Sequence, residues 1–194
     1  MAELLADRYG TEKIIFNLAC KGRDEAYLKR YVEEVYKRGI RNALILQGDG
    51  RSSVKPTDLI KYASSYLNVG AVANPNAEDM ERELELTNRK IMAGAKYLLT
   101  QPVFDLEMSQ EFSMALPDVD IYYGLLVLPS RYEDAVLIPQ RYPGIEVPDE
   151  TLHRLRDGST NLDIAREILD GFRRNGMNTY VSSPSYGAIA SLLS

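Results

Sequence analysis

Short apolar runs recur along this chain at a near-constant interval, and that interval most limits how it can fold. Runs suited to strands occupy residues 14–18, 43–46, 69–73, 97–99, 121–128 and 179–181. The first five begin about 24 to 29 residues apart, the length of one βα repeat. The stretches between them carry helical periodicity. Residues 24–38 place Leu28, Val32 and Val35 on one face, add Glu33–Lys37 and Glu34–Arg38 pairs at i,i+4, and stop at Gly39. Residues 79–92 align Met80, Leu84, Thr87 and Ile91. Residues 160–174 open on Thr160-x-x-Asp163, a capping-box-like start, and align Ile164, Ile168 and Phe172. A shorter helix is predicted near 149–156 and a last one over 186–193, while residues 1–9 read as the back half of a helix stopped by Gly10. Strand and helix alternating without hairpin signals specify an α/β fold with a parallel sheet of about six βα units.

Composition narrows the function classes. The chain has 194 residues, 45% of them hydrophobic, enough for one sizeable core, and no Gly/Ser-rich linker divides it. A single domain over 1–194 is expected. Net charge is −5 with no basic stripe, which argues against a nucleic-acid surface. No apolar run reaches the roughly 18 residues of a membrane span, and the opening lacks the basic n-region of a signal peptide. One cysteine excludes an internal disulfide and suits a reducing cytoplasm. The one histidine, His153, lies in a charged stretch, so neither a His-rich metal site nor a Ser-His-Asp triad has support.

Each strand is followed by polar or small residues: Asn17 to Lys21, Gln47 to Gly50, Asn74 to Asn76, Thr100 and Gln101, Ser130 to Tyr132, and Ser182 to Ser185. All fall on the carboxyl edge of the same sheet, where α/β enzymes build their sites. The most informative block is 88–105. A helix ends at Ala93-Gly94-Ala95, a strand starts at Tyr97, and Thr100, Gln101, Phe104 and Asp105 cluster beyond its end, shaped for a flat, hydrogen-bonding ligand. Gly48-Asp49-Gly50 reads either as a turn or as a backbone that lets a cofactor approach while Asp49 presents a charge. Arg89 and Lys90, late in a helix, read either as cations on its negative end or as contacts to phosphate or ribose. Cys20 has no basic neighbour in sequence and reads as a small core residue. No GxGxxG or Walker loop is present.

Taken together, these segments resemble the flavin-dependent methylenetetrahydrofolate reductases, which are (β/α)8 barrels. Asn17-Leu-Ala-Cys20 resembles that family's His-Leu-Thr-Cys strand end. Gly39-Ile-Arg-Asn-Ala-Leu-Ile-Leu-Gln-Gly-Asp49 resembles its Gly-Ile-x-Asn-x-Leu-x-Leu-x-Gly-Asp. Lys90-Ile-Met-Ala-Gly-Ala-Lys-Tyr-Leu-Leu-Thr-Gln-Pro-Val-Phe-Asp105 resembles its Lys-x-x-Ala-Gly-Ala-x-x-x-x-Thr-Gln-x-x-Phe-Asp, and this block is the most specific. Val72-Ala-Asn-Pro-Asn76 is similar to the form in members fused to a homocysteine methyltransferase, and Pro143-Gly-Ile-Glu-Val-Pro148 also fits.

The resemblance implies an incomplete barrel of the TIM type and a hydride transfer. FAD (or FMN) would take hydride from NAD(P)H and pass it to methylenetetrahydrofolate, or a related pterin, giving the methyl form. By position, Gln101 would hydrogen-bond the pterin and Tyr132 would stack on the folate side. Asp49 would sit near the flavin and act on the folate. Asn17, Asn74, Arg89 and Lys90 would hold the cofactor.

This sequence also departs from the family. The first two strands are absent, with the Glu-Phe-Phe-Pro-Pro motif whose glutamate is the general acid. Glu111-Phe112 does not substitute, because it falls in a helix after the Gln101 strand. The family's strand-end histidine is Asn17 here. Gly124-Leu-Leu-Val127 stands for the usual Gly-Ile-x-Pro, and Tyr180-Val-Ser-Ser-Pro for Tyr-Thr-Leu-Asn-Arg. The alternative expectation is therefore a flavin- or folate-binding subunit that needs a partner chain for catalysis. Exposed strand edges in an incomplete barrel would favour a homo-oligomer or a partner subunit.

Overall fold

The computed structural model describes residues 8, 10–48, 50, 52–142, 144–183 and 185–193. The expectation of a helix over 1–9 falls almost wholly outside them. A 3₁₀ turn, Thr11–Lys13, leads into β1 (Ile15–Ala19), α1 (Glu25–Lys37), β2 (Asn42–Leu46), α2 (Pro56–Ala63), β3 (Asn68–Ala73), α3 (Met80–Met92) and β4 (Tyr97–Pro102). Then follow α4 (Leu106–Met114), β5 (Asp120–Leu126), α5 (Tyr132–Ala135), α6 (Ile138–Arg141), α7 (Asp149–Arg156), α8 (Asn161–Arg174), β6 (Asn178–Ser182) and α9 (Tyr186–Leu193). The six strands form one open sheet in sequence order, β1 through β6, and the registers of β1–β2, β2–β3 and β5–β6 are parallel. Sequential parallel strands with helical crossovers are how a (β/α) barrel wall is built. The α/β, barrel-type expectation holds at six units.

Two strand-end details differ from the sequence reading. β4 runs on to Pro102, so Thr100 and Gln101 lie inside the strand and not beyond it. The sequence placed the end at Leu99 because Thr-Gln-Pro reads as a boundary, whereas Pro is tolerated as the last residue of a strand. β5 stops at Leu126, two residues earlier than its apolar run.

The backbone divides into two compact units. The first comprises Met1–Ala73, Glu81–Leu98 and Pro117–Asp120. Its core is the helix-facing side of β1–β3: Leu18, Leu28, Val32, Ile45, Leu59, Ile60 and Val69 are essentially inaccessible. Asp24 caps α1 by accepting a 2.7 Å bond from the Tyr27 N–H. Phe16 of β1 meets Tyr31 of α1 edge-on at 5.3 Å, and the Tyr62 hydroxyl of α2 donates to Glu33 of α1 at 2.6 Å. On the other face, Leu44 is in register with Gly70. A Cβ on Gly70 would lie 2.1 Å from the Tyr97 ring. The phenol therefore crosses β3, where only glycine leaves room, and donates to Ala43 O of β2 at 2.8 Å.

The second unit comprises Asn74–Met80, Leu99–Leu116 and Ile121–Ser194. Its core gathers Val103, Tyr123, Leu125, Val127, Ile164, Leu169 and Phe172, with a satellite of Leu126, Leu128, Ile138 and Val147. α8 buries Ile164, Ile168 and Phe172 as its period requires, and Thr160 caps it by accepting from the Asp163 N–H at 3.1 Å. Glu111 is exposed on α4 while Phe112 is buried there, so this pair forms no strand end.

Candidate functional site

Within the second unit the site is built on the last half of β4. Thr100 is buried and its hydroxyl makes two bonds, accepting from the Gly124 N–H at 3.0 Å and donating to Gln101 O at 2.7 Å. Tyr180 of β6 donates its hydroxyl to Thr100 O at 2.5 Å. Pro102 fixes its own φ and holds the preceding Gln101 in extended backbone. The Gln101 side chain is half-buried, and Gly144 comes so close that a Cβ there would lie 3.6 Å from Gln101 Nε2. No hydrogen bond to the Gln101 amide forms among the described residues. It offers one acceptor and two donors to a ligand.

Beside this strand end opens a cleft of about 310 Å³, lined by Asn76, Phe104, Asp105, Met108, Glu146, Val147 and Pro148. Asn76 is held in place because its Nδ2 donates to Pro102 O at 2.8 Å, and its N–H is received by Asn74 Oδ1 at 3.2 Å. Asn74 thus closes an Asx turn just past β3. Asp105 faces the cleft but its carboxylate has structural work: Oδ1 accepts from the Glu107 and Met108 N–H groups at 2.9 and 3.1 Å, capping α4. Sequence reading placed Asp105 with Gln101 as a ligand-holding cluster; the structure makes it first the N-cap of α4. Tyr132 opens α5 and is half-buried.

The remaining predicted residues lie in the first unit. Asn17 is exposed mid-strand on β1, in register with Leu44 and on the face away from α1. Asp49 lies outside the described residues. Its flanking glycines both have positive φ, +79° at Gly48 and +97° at Gly50, the left-handed backbone of a tight turn, and Gln47 Nε2 donates to Gly50 O at 2.9 Å. Lys21 lies along that turn: a Cβ on Gly48 would sit 3.1 Å from Lys21 Cβ, and one on Gly50 3.5 Å from its Nζ. Lys90 is four-fifths covered; its ammonium donates to Val72 O at 2.7 Å and stands 3.8 Å from Glu83. Burial pushes that ammonium below its ordinary range, with Glu83 pulling the other way. Arg89 pairs with Glu85 on an exposed helix face.

This donor set can be tested against a dinucleotide-type flavin, which the resemblance implies. Within the first unit, an enclosed cation at the end of β3 and a second, exposed cation match a diphosphate in chemical type; within the second unit, the Gln101 amide matches a polar ring edge. Lys90 and Arg89 each already face a carboxylate, so holding a diphosphate means exchanging Glu83 and Glu85 for it. Three contributors were given no site role from the sequence. Gly144 and Glu146 lie in the 143–148 block noted as fitting the family, a Pro-rich loop without periodicity. Tyr180 reached Thr100 only through strand pairing across 80 residues of sequence.

A model of the family described as methylenetetrahydrofolate reductase matches residues 1–168. The chain belongs to the methylenetetrahydrofolate reductase family. It is 25% identical to "Methylenetetrahydrofolate reductase 2" of Saccharomyces cerevisiae, in an alignment covering 79% of this chain and 32% of that protein. With the "Methylenetetrahydrofolate reductase 2" of Schizosaccharomyces pombe it shares 24% identity over 78% of this chain and 28% of that protein. This family member thus spans about a third of the length of the curated relatives it matches. Among solved structures it is similar to the triclinic crystal form of 2,3-dimethylmalate lyase, a PEP mutase/isocitrate lyase superfamily member. That match has a TM-score of 0.52 and 13% identity, over 100% of this chain and 72% of that one. The trigonal form of the same lyase gives a TM-score of 0.51 at 15% identity, over 91% of this chain and 64% of that one. At such identity these likenesses speak for the barrel-type fold alone.

Proposed function

We propose that this chain is the barrel portion of a methylenetetrahydrofolate reductase-type oxidoreductase that binds flavin (FAD, with FMN the alternative) and a reduced folate or related pterin. The observation that carries this reading is the family's most specific block, Lys90 to Asp105, folded so that Gln101 presents an uncommitted amide at the end of β4. In this reading Gln101 pairs with the donor–acceptor edge of the pterin, and Phe104 and Val147 supply apolar wall in the adjoining cleft. Tyr132 stacks on the folate side. Asp49 and Asn17 face the cofactor, Asn74 borders it, and Lys90 with Arg89 neutralises its phosphates. Bound flavin supplies a two-electron hydride acceptor and donor between NAD(P)H and the methylene carbon. The chain's own residues supply binding, orientation and charge.

A second reading is a flavin- or folate-binding subunit without autonomous catalysis; its support is that Glu111-Phe112, the Glu-Phe pair of these residues, lies on α4 and not at a strand end. The visible spectrum of the purified protein, titrated with FAD and then with 5-methyltetrahydrofolate, tests both. A bound-flavin spectrum and a folate-induced change are expected, with the folate response lost in Gln101→Ala. No flavin binding at high FAD, or unchanged folate affinity in Gln101→Ala, would overturn the site assignment. Anaerobic reduction by NADH or NADPH followed by turnover with methylenetetrahydrofolate selects the enzyme; binding without turnover selects the subunit.

A further inference from the structure

We propose that Tyr180 is a positioning residue for Gln101, acting through Thr100 and over a gap that only Gly124 provides. The proposal rests on the reading of Gln101 as the pterin-binding amide. β5 and β6 are in parallel register with Gly124 opposite Tyr180. In-register partners project to the same face, so any side chain on β5 at this point would stand beside the phenol. A Cβ there would lie 2.8 Å from Tyr180 Oη, 3.0 Å from Cζ and 3.2 Å from Pro102 Cα. Gly124 leaves the space open, and the Tyr180 side chain crosses β5 to reach β4.

What it reaches is the peptide on one side of Gln101. Tyr180 Oη donates to Thr100 O at 2.5 Å, and the Thr100 hydroxyl donates to Gln101 O at 2.7 Å while accepting from the Gly124 N–H at 3.0 Å. The carbonyls before and after the Gln101 Cα are therefore both held by hydroxyls. Pro102 locks the next φ, and its own carbonyl is taken by Asn76 Nδ2 at 2.8 Å. With both flanking peptide planes pinned, the Cα–Cβ direction of Gln101 is set by side chains from β6 and from the β3–α3 loop. Burial pushes the Tyr180 phenol up to about 12, so it remains a donor throughout the neutral range. A recognition amide must be held close to its productive geometry by groups that are themselves locked, and this network has that form.

Tyr180→Phe, which keeps the ring and removes only the donor, tests the proposal in the full chain. Folate affinity is expected to fall by about 3- to 10-fold, the span of one lost hydrogen bond, with flavin affinity unchanged. Equal folate affinity of Tyr180→Phe and the parent would overturn the proposal. A parallel readout needs no folate. The side-chain amide signal of Gln101 in a ¹H–¹⁵N spectrum, assigned by its disappearance in Gln101→Ala, should shift or broaden in Tyr180→Phe; an unmoved signal overturns the positioning role. If that signal moves but the parent protein binds no folate, the reading of Gln101 as the pterin contact fails and the positioning role stands. Should Tyr180→Phe fold poorly, the pair Thr100→Val and Thr100→Ser replaces it. The serine variant is expected to retain the parent Gln101 signal and the valine variant to displace it, and identical spectra for the two would refute the network.

Discussion

Residue-scale chemistry in this chain is dominated by groups whose first partner is the backbone. Asp105 is the clearest case. As the N-cap of α4 it satisfies two amides, so Asp105→Ala is expected to lower unfolding stability by about 1 kcal/mol in urea titration, whatever it does to binding. Tyr180 adds a pH signature. Burial raises its phenol from the ordinary 10 to about 12 in the folded chain. Below pH 10 its ionisation leaves folding stability unchanged, and as pH rises from 10 toward 12 stability falls by on the order of 2 to 3 kcal/mol. Denaturation midpoints measured across pH 9 to 12 should fall less steeply in Tyr180→Phe than in the parent. With 13 tyrosines and no tryptophan, tyrosinate absorbance can follow the same ionisations directly. At this scale the sequence was informative where a role is local. The Thr160 cap, the glycines flanking Asp49 and the buried Cys20 follow from neighbours a few positions away. It was silent on Tyr180, whose partner is set by strand order.

Among elements, period and spacing carried most of the fold. α8 shows why: its apolar residues repeat at 3.6 with a cap at one end and Asn175 closing the other, and the structure begins it one residue after its cap. β4 shows the limit. Where it ends depends on pairing with its neighbours, and a Thr-Gln-Pro segment carries no local mark of that. The short helices α5 and α6, four residues each, have no period to read. α3 keeps the predicted face, with Thr87 fully buried and Met80, Leu84 and Ile91 half-buried, while Met92 is 86% exposed. Helix packing offers a sharp test at Gly171 of α8, where a Cβ would lie 2.4 Å from Leu106 Cδ1 of α4. Alanine normally favours a helix over glycine by about 1 kcal/mol, and overpacking costs about 1 to 3 kcal/mol. Gly171→Ala is expected to lose up to about 2 kcal/mol net, read from the thermal midpoint; a stabilised variant would show that Leu106 has room to turn aside.

On the scale of the whole molecule, the sheet ends at β1, which carries Ile15 at 46% exposure and pairs with β2 alone among the described strands. An edge strand presenting apolar surface and open backbone groups favours association. Light scattering is expected to show mass rising with concentration, and Ile15→Lys to suppress that rise. A monomer at every concentration would remove the expectation. A last consequence comes from the two tyrosines that reach across a glycine, Tyr97 over Gly70 to Ala43 and Tyr180 over Gly124 to Thr100. Each pair constrains the order in which mutations can accumulate. Gaining a side chain at either glycine is barred while the aromatic ring is present, yet becomes permissible once the ring has shrunk. Drift at these four positions should therefore proceed through the tyrosine first, and lineages that retain Tyr97 or Tyr180 should inherit Gly70 or Gly124 with it.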